Sequence, residues 1–276
     1  MALTPFQRDV CRLLAKHRIA GGESYVAGGA SLNELIASPR ISRDVDLFHD
    51  SEQALEKTWG ADRSLLEAHS YQLRVLRDRP GIVEAEVARG GESVLLQWTR
   101  DSAFRFFPLV EHADFGLTLH PFDLATNKVL ALVGRLEVRD WVDAILCHEK
   151  IQPLGYMAWA ACGKDPGFGP RAILEQAARS SRYSAEEVAQ LDFAGSPPDA
   201  AVLSHRWHKA HSEAETICSA LPTEQVGRCV LTGDGRLYAA RPEEIPSDLK
   251  RGAIRFHSGR LGGAFPVLAG PASPGR

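Results

Sequence analysis

The sequence predicts an α/β (α+β) protein in which a small mixed sheet is flanked by helices and followed by a mostly helical C-terminal region. Three observations support this fold class. Strand-like and helical segments alternate through the first 70 residues, apolar residues recur at every second position between Tyr71 and Thr99, and helical apolar spacing dominates after residue 150. A chain of 276 residues is long enough for two domains, which we predict at residues 1–121 and 122–276.

Two short strands lie among three predicted helices at the start of the chain. Phe6, Val10 and Leu14 recur at helical spacing, which predicts a helix over residues 4–19. The other elements predicted here are a strand at Tyr25–Ala27, a short helix at Leu32–Ile36, a strand at Asp44–Phe48 and a helix over residues 52–68. Pro39 ends the short helix because proline has no backbone N–H to continue it.

Strands dominate the next part of the chain, and helices follow them. The three predicted strands are Tyr71–Leu76, Ile82–Ala88 and Ser93–Thr99, with Gly90-Gly91 as a hairpin turn. Residues 104–120 show no period and are predicted to be irregular. Two helices then follow, one from Asp123 to Arg135 and one at Arg139–Lys150.

The C-terminal third is predicted to be helical up to residue 220. Its helical patterns cover residues 154–162, 170–181, 184–191 and 199–220. A hairpin is predicted next, in which Arg228–Thr232 pairs with Arg236–Ala240. The final dozen residues are rich in Gly and Pro and predict a flexible tail.

Composition excludes several classes of protein. A hydrophobic fraction of 44% and a charged fraction of 24% exclude wholesale disorder. The formal net charge of −3 excludes a globally basic nucleic-acid binder, although a local basic patch is compatible with it. The five cysteines form no CxxC pair, which indicates free thiols in a reducing compartment, and no apolar stretch approaches the ~18 residues of a membrane helix. We therefore expect a soluble, cytoplasmic protein.

Two local patterns point to phosphate chemistry. Asp44 and Asp46 flank Val45 on a predicted strand, so both carboxylates lie on one face, where a hard cation such as Mg²⁺ would relieve their repulsion. Gly28-Gly29 follows the preceding strand, and glycines there allow a phosphate chain to approach the backbone. Each pattern also has a plain structural interpretation, as a solvated strand end or as a tight turn.

Together these residues resemble a known family. Gly28-Gly29-Ala30-Ser31 followed by Ser42-Arg43-Asp44-Val45-Asp46-Leu47 is similar to the signature of the DNA polymerase β-like nucleotidyltransferase superfamily, and more narrowly to the AbiEii/AbiGii toxin family, which is related to the MenT-type toxins. A second block, from Asp123 to Arg135 with Lys128 inside it, precedes Arg139-Asp140-Trp141-Val142-Asp143 and resembles the same family. The resemblance covers about residues 20–150.

The resemblance implies a role for each matched residue. Asp44 and Asp46 would hold Mg²⁺ against a nucleoside triphosphate. The turn at Gly28 and Gly29, together with Ser31, would cradle its phosphates.

The second block adds a cation and two acids. Lys128 would neutralise triphosphate charge, and Asp140 would orient Lys128 or accept the proton of the acceptor hydroxyl. Asp143, one turn later, is a further candidate, although a salt bridge with Arg135 or Arg139 explains it equally well. Ser42 is predicted to hydrogen-bond the local backbone.

The resemblance also implies a reaction. An NMP would pass from an NTP to an acceptor hydroxyl, with RNA, and above all a tRNA 3′ end, as the acceptor. The enzyme would then act as the toxin of a toxin–antitoxin or phage-defence pair with an antitoxin protein as partner. A small-molecule or protein acceptor is the alternative within this class, and a degenerate module that binds nucleotide without catalysis is the alternative outside it.

One departure from the superfamily concerns its third acid. That acid usually lies on a later strand, and here the matching strand has Gln97 in its place. Glu84, Glu86 and Asp101 are the available substitutes. The absence of an acid at position 97 leaves a second metal ion in doubt, and it is the feature that favours the degenerate module.

Overall fold

The computed structural model describes residues 3–179 and 183–267, which divide into two compact units. The first unit comprises Met1–Ala103, Pro108–Leu124 and Ala189–Pro197, and the second comprises Phe104–Phe107, Ala125–Val188 and Pro198–Arg276. The domain boundary that the sequence predicts after residue 121 stays a prediction. No helix in the described part of the chain combines the length and the apolar composition needed to span a bilayer.

Helices and strands alternate early in the chain, and helices predominate later. In chain order they are α1 (Pro5–Gly21), β1 (Ser24–Ala27), α2 (Gly28–Leu35), β2 (Asp44–His49), α3 (Glu52–Ala68), β3 (Gln72–Arg79), β4 (Ile82–Arg89), β5 (Glu92–Arg100), β6 (Phe104–Arg105), β7 (Val110–His112), β8 (Gly116–Thr118), α4 (Pro121–Arg135), α5 (Val138–Lys150), α6 (Leu154–Ala161), α7 (Pro170–Ala178), α8 (Ala185–Ala189), α9 (Ala200–Ala220), β9 (Cys229–Thr232), α10 (Ile245–Lys250), β10 (Ile254–His257) and β11 (Arg260–Leu261). The predicted fold class, a mixed sheet flanked by helices with a mostly helical C-terminal region, is confirmed.

The first unit is built on a seven-stranded sheet in the order β3-β4-β5-β2-β1-β8-β7. β2 runs parallel to β5 and β1 runs parallel to β8, whereas the other neighbours are antiparallel. Side chains alternate across the strands, so Val45 and Leu47 of β2 are buried in one core with Leu96 and Trp98 of β5. That core also contains residues of α1 and α3.

One prediction for this unit was wrong. Residues 104–120 were predicted to be irregular, but β7 and β8 form a hairpin that joins the sheet where Thr118 pairs with Val26. Each of these strands has only three residues, which is too short for a period of two to be recognised in the sequence.

The second unit is mostly helical. α6 packs closely on α9 at Gly155, where an added Cβ would lie 2.6 Å from the Cβ of Ile217. The predicted pairing of Arg228–Thr232 with Arg236–Ala240 is present near the turn, where Leu231 bridges Leu237, Thr232 N donates to Arg236 O at 2.8 Å and Tyr238 N donates to Val230 O at 3.0 Å. The prediction missed β10, which pairs with β9 along its whole length. Most of the predicted tail, residues 268–276, lies outside the described residues.

Candidate active site

β2 brings Asp44 and Asp46 to the same face of the sheet. Both residues are partly exposed, whereas Val45 between them and Leu47 beyond them are fully buried. The strand is held at its start because the side chain of Gln7, in α1, donates a hydrogen bond to the backbone oxygen of Ser42 at 2.8 Å. The two carboxylates are therefore presented side by side by a strand whose other face is fixed in the core.

The N-terminus of α2 lies directly against Asp46. The helix begins at Gly28, four residues before the helix predicted at Leu32–Ile36, and Ala27 provides no side-chain cap. The first N–H groups of a helix have no partner within it, so those of Gly28 and Gly29 are suited to bind an anion. Gly28 has φ +66°, and a Cβ there would lie 1.7 Å from Asp46 Oδ2. Only glycine allows this contact between a helix start and the carboxylate.

Gly29 faces a buried arginine and a serine. A Cβ at Gly29 would lie 2.8 Å from Arg40 Nη2 and 2.9 Å from Ser42 Oγ. Ser42 in turn donates a hydrogen bond from its hydroxyl to Asp44 Oδ1 at 3.0 Å. The predicted backbone contact of the Ser42 hydroxyl is thus replaced by a contact that orients Asp44.

Arg40 is a site residue that the sequence analysis missed. It is only 4% exposed, and its backbone forms a β-bridge with Phe193. Flanking hydrogen bonds, from Ile41 N to Asp192 O and from Ala194 N to Pro39 O at 2.8 Å each, complete this pairing. The signal was not available in the sequence because an arginine in a loop is ordinarily solvated, and the covering segment is about 150 residues away.

Ser31 is placed differently from the other predicted phosphate contacts. It is fully buried, and its hydroxyl hydrogen-bonds that of Thr118, which itself donates to the oxygen of Val26 at 2.8 Å. This chain of hydrogen bonds joins α2 to β8 and β1. The Ser31 hydroxyl is therefore engaged in the core rather than presented beside the amides of Gly28 and Gly29.

Gln97 is the neighbour of Asp46 on β5. The register pairs Asp46 with Gln97, and Gln97 with Glu84 on β4. The burial patterns put all three on the partly exposed face. Glu84 approaches Arg77 to 4.0 Å at the far side of this row.

A second set of register partners runs across the sheet from Asp44 and contains another acid, Glu86. Leu95 lies between Asp44 and Glu86, and Arg74 lies beyond Glu86. The guanidinium of Arg74 contacts the carboxylate of Glu86 at 2.7 Å, and this hydrogen bond, with another from Ser93, lowers the pKa of Glu86. Glu86 is therefore held toward the edge strand β3.

The donor set at β2 fits a cation that the substrate helps to hold. Mg²⁺ in proteins is commonly bound by one or two carboxylates and completed by phosphates and water. Asp44 and Asp46 provide two such carboxylates, and the start of α2 at Gly28 lies directly against Asp46. Within residues 3–179 and 183–267, no group of three or more His, Cys, Asp or Glu residues is arranged to hold a metal ion.

The second unit contains a buried ion-pair network around Lys128. Its Nζ lies 2.9 Å from Asp140 Oδ1 and 3.0 Å from Asp143 Oδ2, and Lys128 is only 6% exposed. Arg135 adds a contact to Asp140 at 2.6 Å. Burial alone would raise the pKa of Asp140, but the hydrogen bonds from Arg135 and the charge of Lys128 outweigh it and lower that pKa. Asp143 thus pairs with Lys128, whereas Arg139 contacts Glu137.

The resemblance implies that Mg²⁺–NTP binds here, and we predict that Gly28→Ala weakens this binding about tenfold or more, because the new Cβ must displace Asp46 and the left-handed backbone costs about 1–2 kcal/mol. Isothermal calorimetry measures the binding, and thermal unfolding measures the stability. Gly60→Ala is the matched control, since a Cβ at Gly60 in α3 meets nothing within 4 Å. Unchanged binding by Gly28→Ala would show that the contact with Asp46 is dispensable.

Comparisons with known proteins give structural likeness alone. No protein-family model and no curated protein sequence matches the chain. Among solved structures, JHP933 from Helicobacter pylori is 12% identical with a TM-score of 0.46, and the match covers 76% of this chain and 91% of that one. MenT4, named as the nucleotidyltransferase toxin Rv2826c from Mycobacterium tuberculosis H37Rv, is 13% identical with a TM-score of 0.46, covering 75% of this chain and 82% of that one. The antibiotic-resistance factor ANT(2'')-Ia is 13% identical with a TM-score of 0.39, covering 64% of this chain and 92% of that one.

Proposed function

We propose that the protein is a Mg²⁺-dependent nucleotidyltransferase, which transfers an NMP from an NTP to an acceptor hydroxyl and releases pyrophosphate. The observation that carries this proposal is the contact between the start of α2 and Asp46, since it puts anion-binding amides next to paired carboxylates. Two carboxylates alone would bind a cation, and a helix N-terminus alone would bind a phosphate. Their adjacency suits a cation–triphosphate complex, in which both are needed.

The residues of the first unit account for binding and orientation of the NTP. The chemistry that Mg²⁺ supplies when bound is neutralisation of triphosphate charge, and Asp44 and Asp46 would hold it. The amides of Gly28 and Gly29 would bind phosphate oxygens, while Ser42 keeps the Asp44 carboxylate oriented. In the transfer, the acceptor oxygen bonds to the α-phosphorus, the bond from that phosphorus to the oxygen leading to the β-phosphate breaks, and the hydroxyl proton is released.

Lys128 and Asp140 keep the roles that the family resemblance gives them as predictions. Lys128 would neutralise triphosphate charge, and Asp140 would either orient Lys128 or accept the proton of the acceptor hydroxyl. The 2.9 Å contact between them is compatible with Asp140 orienting Lys128. It is equally compatible with a network that only stabilises the packing of α4 on α5.

We propose RNA, and in particular a tRNA 3′ end, as the acceptor, with the enzyme acting as a toxin that an antitoxin protein neutralises. The support is the resemblance of the two sequence blocks to the AbiEii/AbiGii family. The net charge of −3 favours the second candidate, a nucleotidyltransferase that modifies a small molecule or a protein.

The test is transfer of label from each of the four α-³²P NTPs to total tRNA in the presence of Mg²⁺. We expect labelled tRNA with wild-type protein and none with Asp44→Asn. RNA binding should weaken steeply with salt, because phosphate contacts release counterions. Mg²⁺-dependent NTP binding without label would contradict the tRNA acceptor, and absence of both would contradict the nucleotidyltransferase itself.

A further inference from the structure

We propose that the site holds a single divalent cation, and that the Gln97 amide takes the position from which an acid would bind a second one. This inference rests on the proposed function and concerns the same face of β2. Three observations support the inference: the register of β5, the charges of the neighbouring residues and the ion pairs of the nearest acids.

Gln97 is the side chain best placed to share a ligand position with Asp46. β2 and β5 are adjacent and parallel, so the two Cα atoms are separated by about the 4.8 Å between neighbouring strands. Both side chains lie on the partly exposed face. On the opposite side of Asp46 the register partner is Ala27, which has no polar side chain. Of the two register partners of Asp46, Gln97 is therefore the one whose side chain could supply a ligand, and it is uncharged.

The other acids on this face are one strand further away and are engaged by arginines. Glu84 lies beyond Gln97 and has Arg77 as its ion-pair partner at 4.0 Å. Glu86 lies beyond Leu95 and is bound by Arg74 at 2.7 Å.

The charge balance also favours one cation. Two divalent ions in a phosphoryl-transfer site lie about 3.5–4 Å apart and repel strongly, so they need several anionic ligands. Asp44 and Asp46 supply two negative charges, and the Arg40 guanidinium lies near Ser42, the hydrogen-bond partner of Asp44. The neutral amide of Gln97 adds no negative charge to compensate that of a second cation. Its NH₂ group can instead donate a hydrogen bond to a substrate oxygen.

The experiment counts Mn²⁺ ions bound by the full-length protein with the α,β-methylene analogues of the four NTPs, which do not react. Equilibrium dialysis gives the stoichiometry, and electron paramagnetic resonance detects coupling between neighbouring Mn²⁺ ions. We expect one uncoupled Mn²⁺ per protein–analogue complex in the wild type. We expect a second, coupled ion in Gln97→Glu, a change that keeps the size of the side chain and adds the missing charge.

Thr99→Glu is the matched control. Thr99 lies on the same face of β5 but opposite Phe48, so an acid there should leave one Mn²⁺ per complex. Two coupled ions in the wild type, or one ion in Gln97→Glu, would overturn the inference while leaving the nucleotidyltransferase proposal intact. A wild type that binds no analogue at any Mn²⁺ concentration would overturn both.

Discussion

Asp46→Asn is expected to lower the rate of NMP transfer by about 10³-fold or more, because it removes a charged ligand of the cation that neutralises the triphosphate. The substitution keeps the shape of the side chain, so the contact with Gly28 and the fold of the first unit should persist. Initial rates of α-³²P transfer measure the effect, and calorimetry separates weaker Mg²⁺–NTP binding from a slower step.

The matched control for this variant is Asp50→Asn. Asp50 follows the same strand and accepts a hydrogen bond from the hydroxyl of Tyr25 at 3.1 Å. We expect its rate to stay within about twofold of the wild type, since surface substitutions of this kind change little. A rate for Asp46→Asn within about tenfold of wild type would contradict the role assigned to that carboxylate.

Lys128→Met is expected to lower the free energy of unfolding by about 3–5 kcal/mol, because it leaves the buried carboxylates of Asp140 and Asp143 without their shared cation. Urea unfolding followed by circular dichroism measures the loss. Lys209→Met, on the exposed side of α9, is the control and should change the stability by less than about 0.5 kcal/mol.

A triple variant separates the structural role of Lys128 from a catalytic one. Lys128→Met combined with Asp140→Asn and Asp143→Asn also removes the two carboxylate charges that Lys128 faces, and we expect it to regain most of the lost stability. A stable triple variant that fails to transfer NMP would support a role in transfer for the network of Lys128, Asp140 and Asp143. A stable triple variant with wild-type transfer would assign the network to folding alone. A Lys128→Met protein as stable as the wild type would contradict the burial argument itself.

Much of the first unit could be predicted because its signals are local. The alternation around Asp44-Val45-Asp46 specifies which side chains share a face, and the Gly90-Gly91 pair specifies a hairpin between two strands of clear period. Gln97 was singled out only by the resemblance to the superfamily, and the pairing of its strand with β2 was not predicted. The sequence also did not predict the register between β2 and β5, which places Gln97 rather than Leu95 beside Asp46.

Other features depend on contacts between distant segments. α2 begins at Gly28, although glycine is a poor helix former. Glycine is required there because a Cβ would collide with the side chain of Asp46. The backbone of Arg40 pairs with that of Phe193, and β9 pairs with the distant β10 as well as with the segment that follows the Gly233 turn. Single-sequence patterns contain no information on such partners, since each segment looks unexceptional alone.

The most direct test of the account follows two labels through one reaction. The same NTP is supplied once with α-³²P and once with γ-³²P, together with Mg²⁺ and total tRNA, to wild-type protein. We predict that the α label becomes attached to the acceptor and that the γ label is recovered as pyrophosphate. Transfer of the γ label to any acceptor would identify a kinase reaction and contradict nucleotidyl transfer at Asp44 and Asp46.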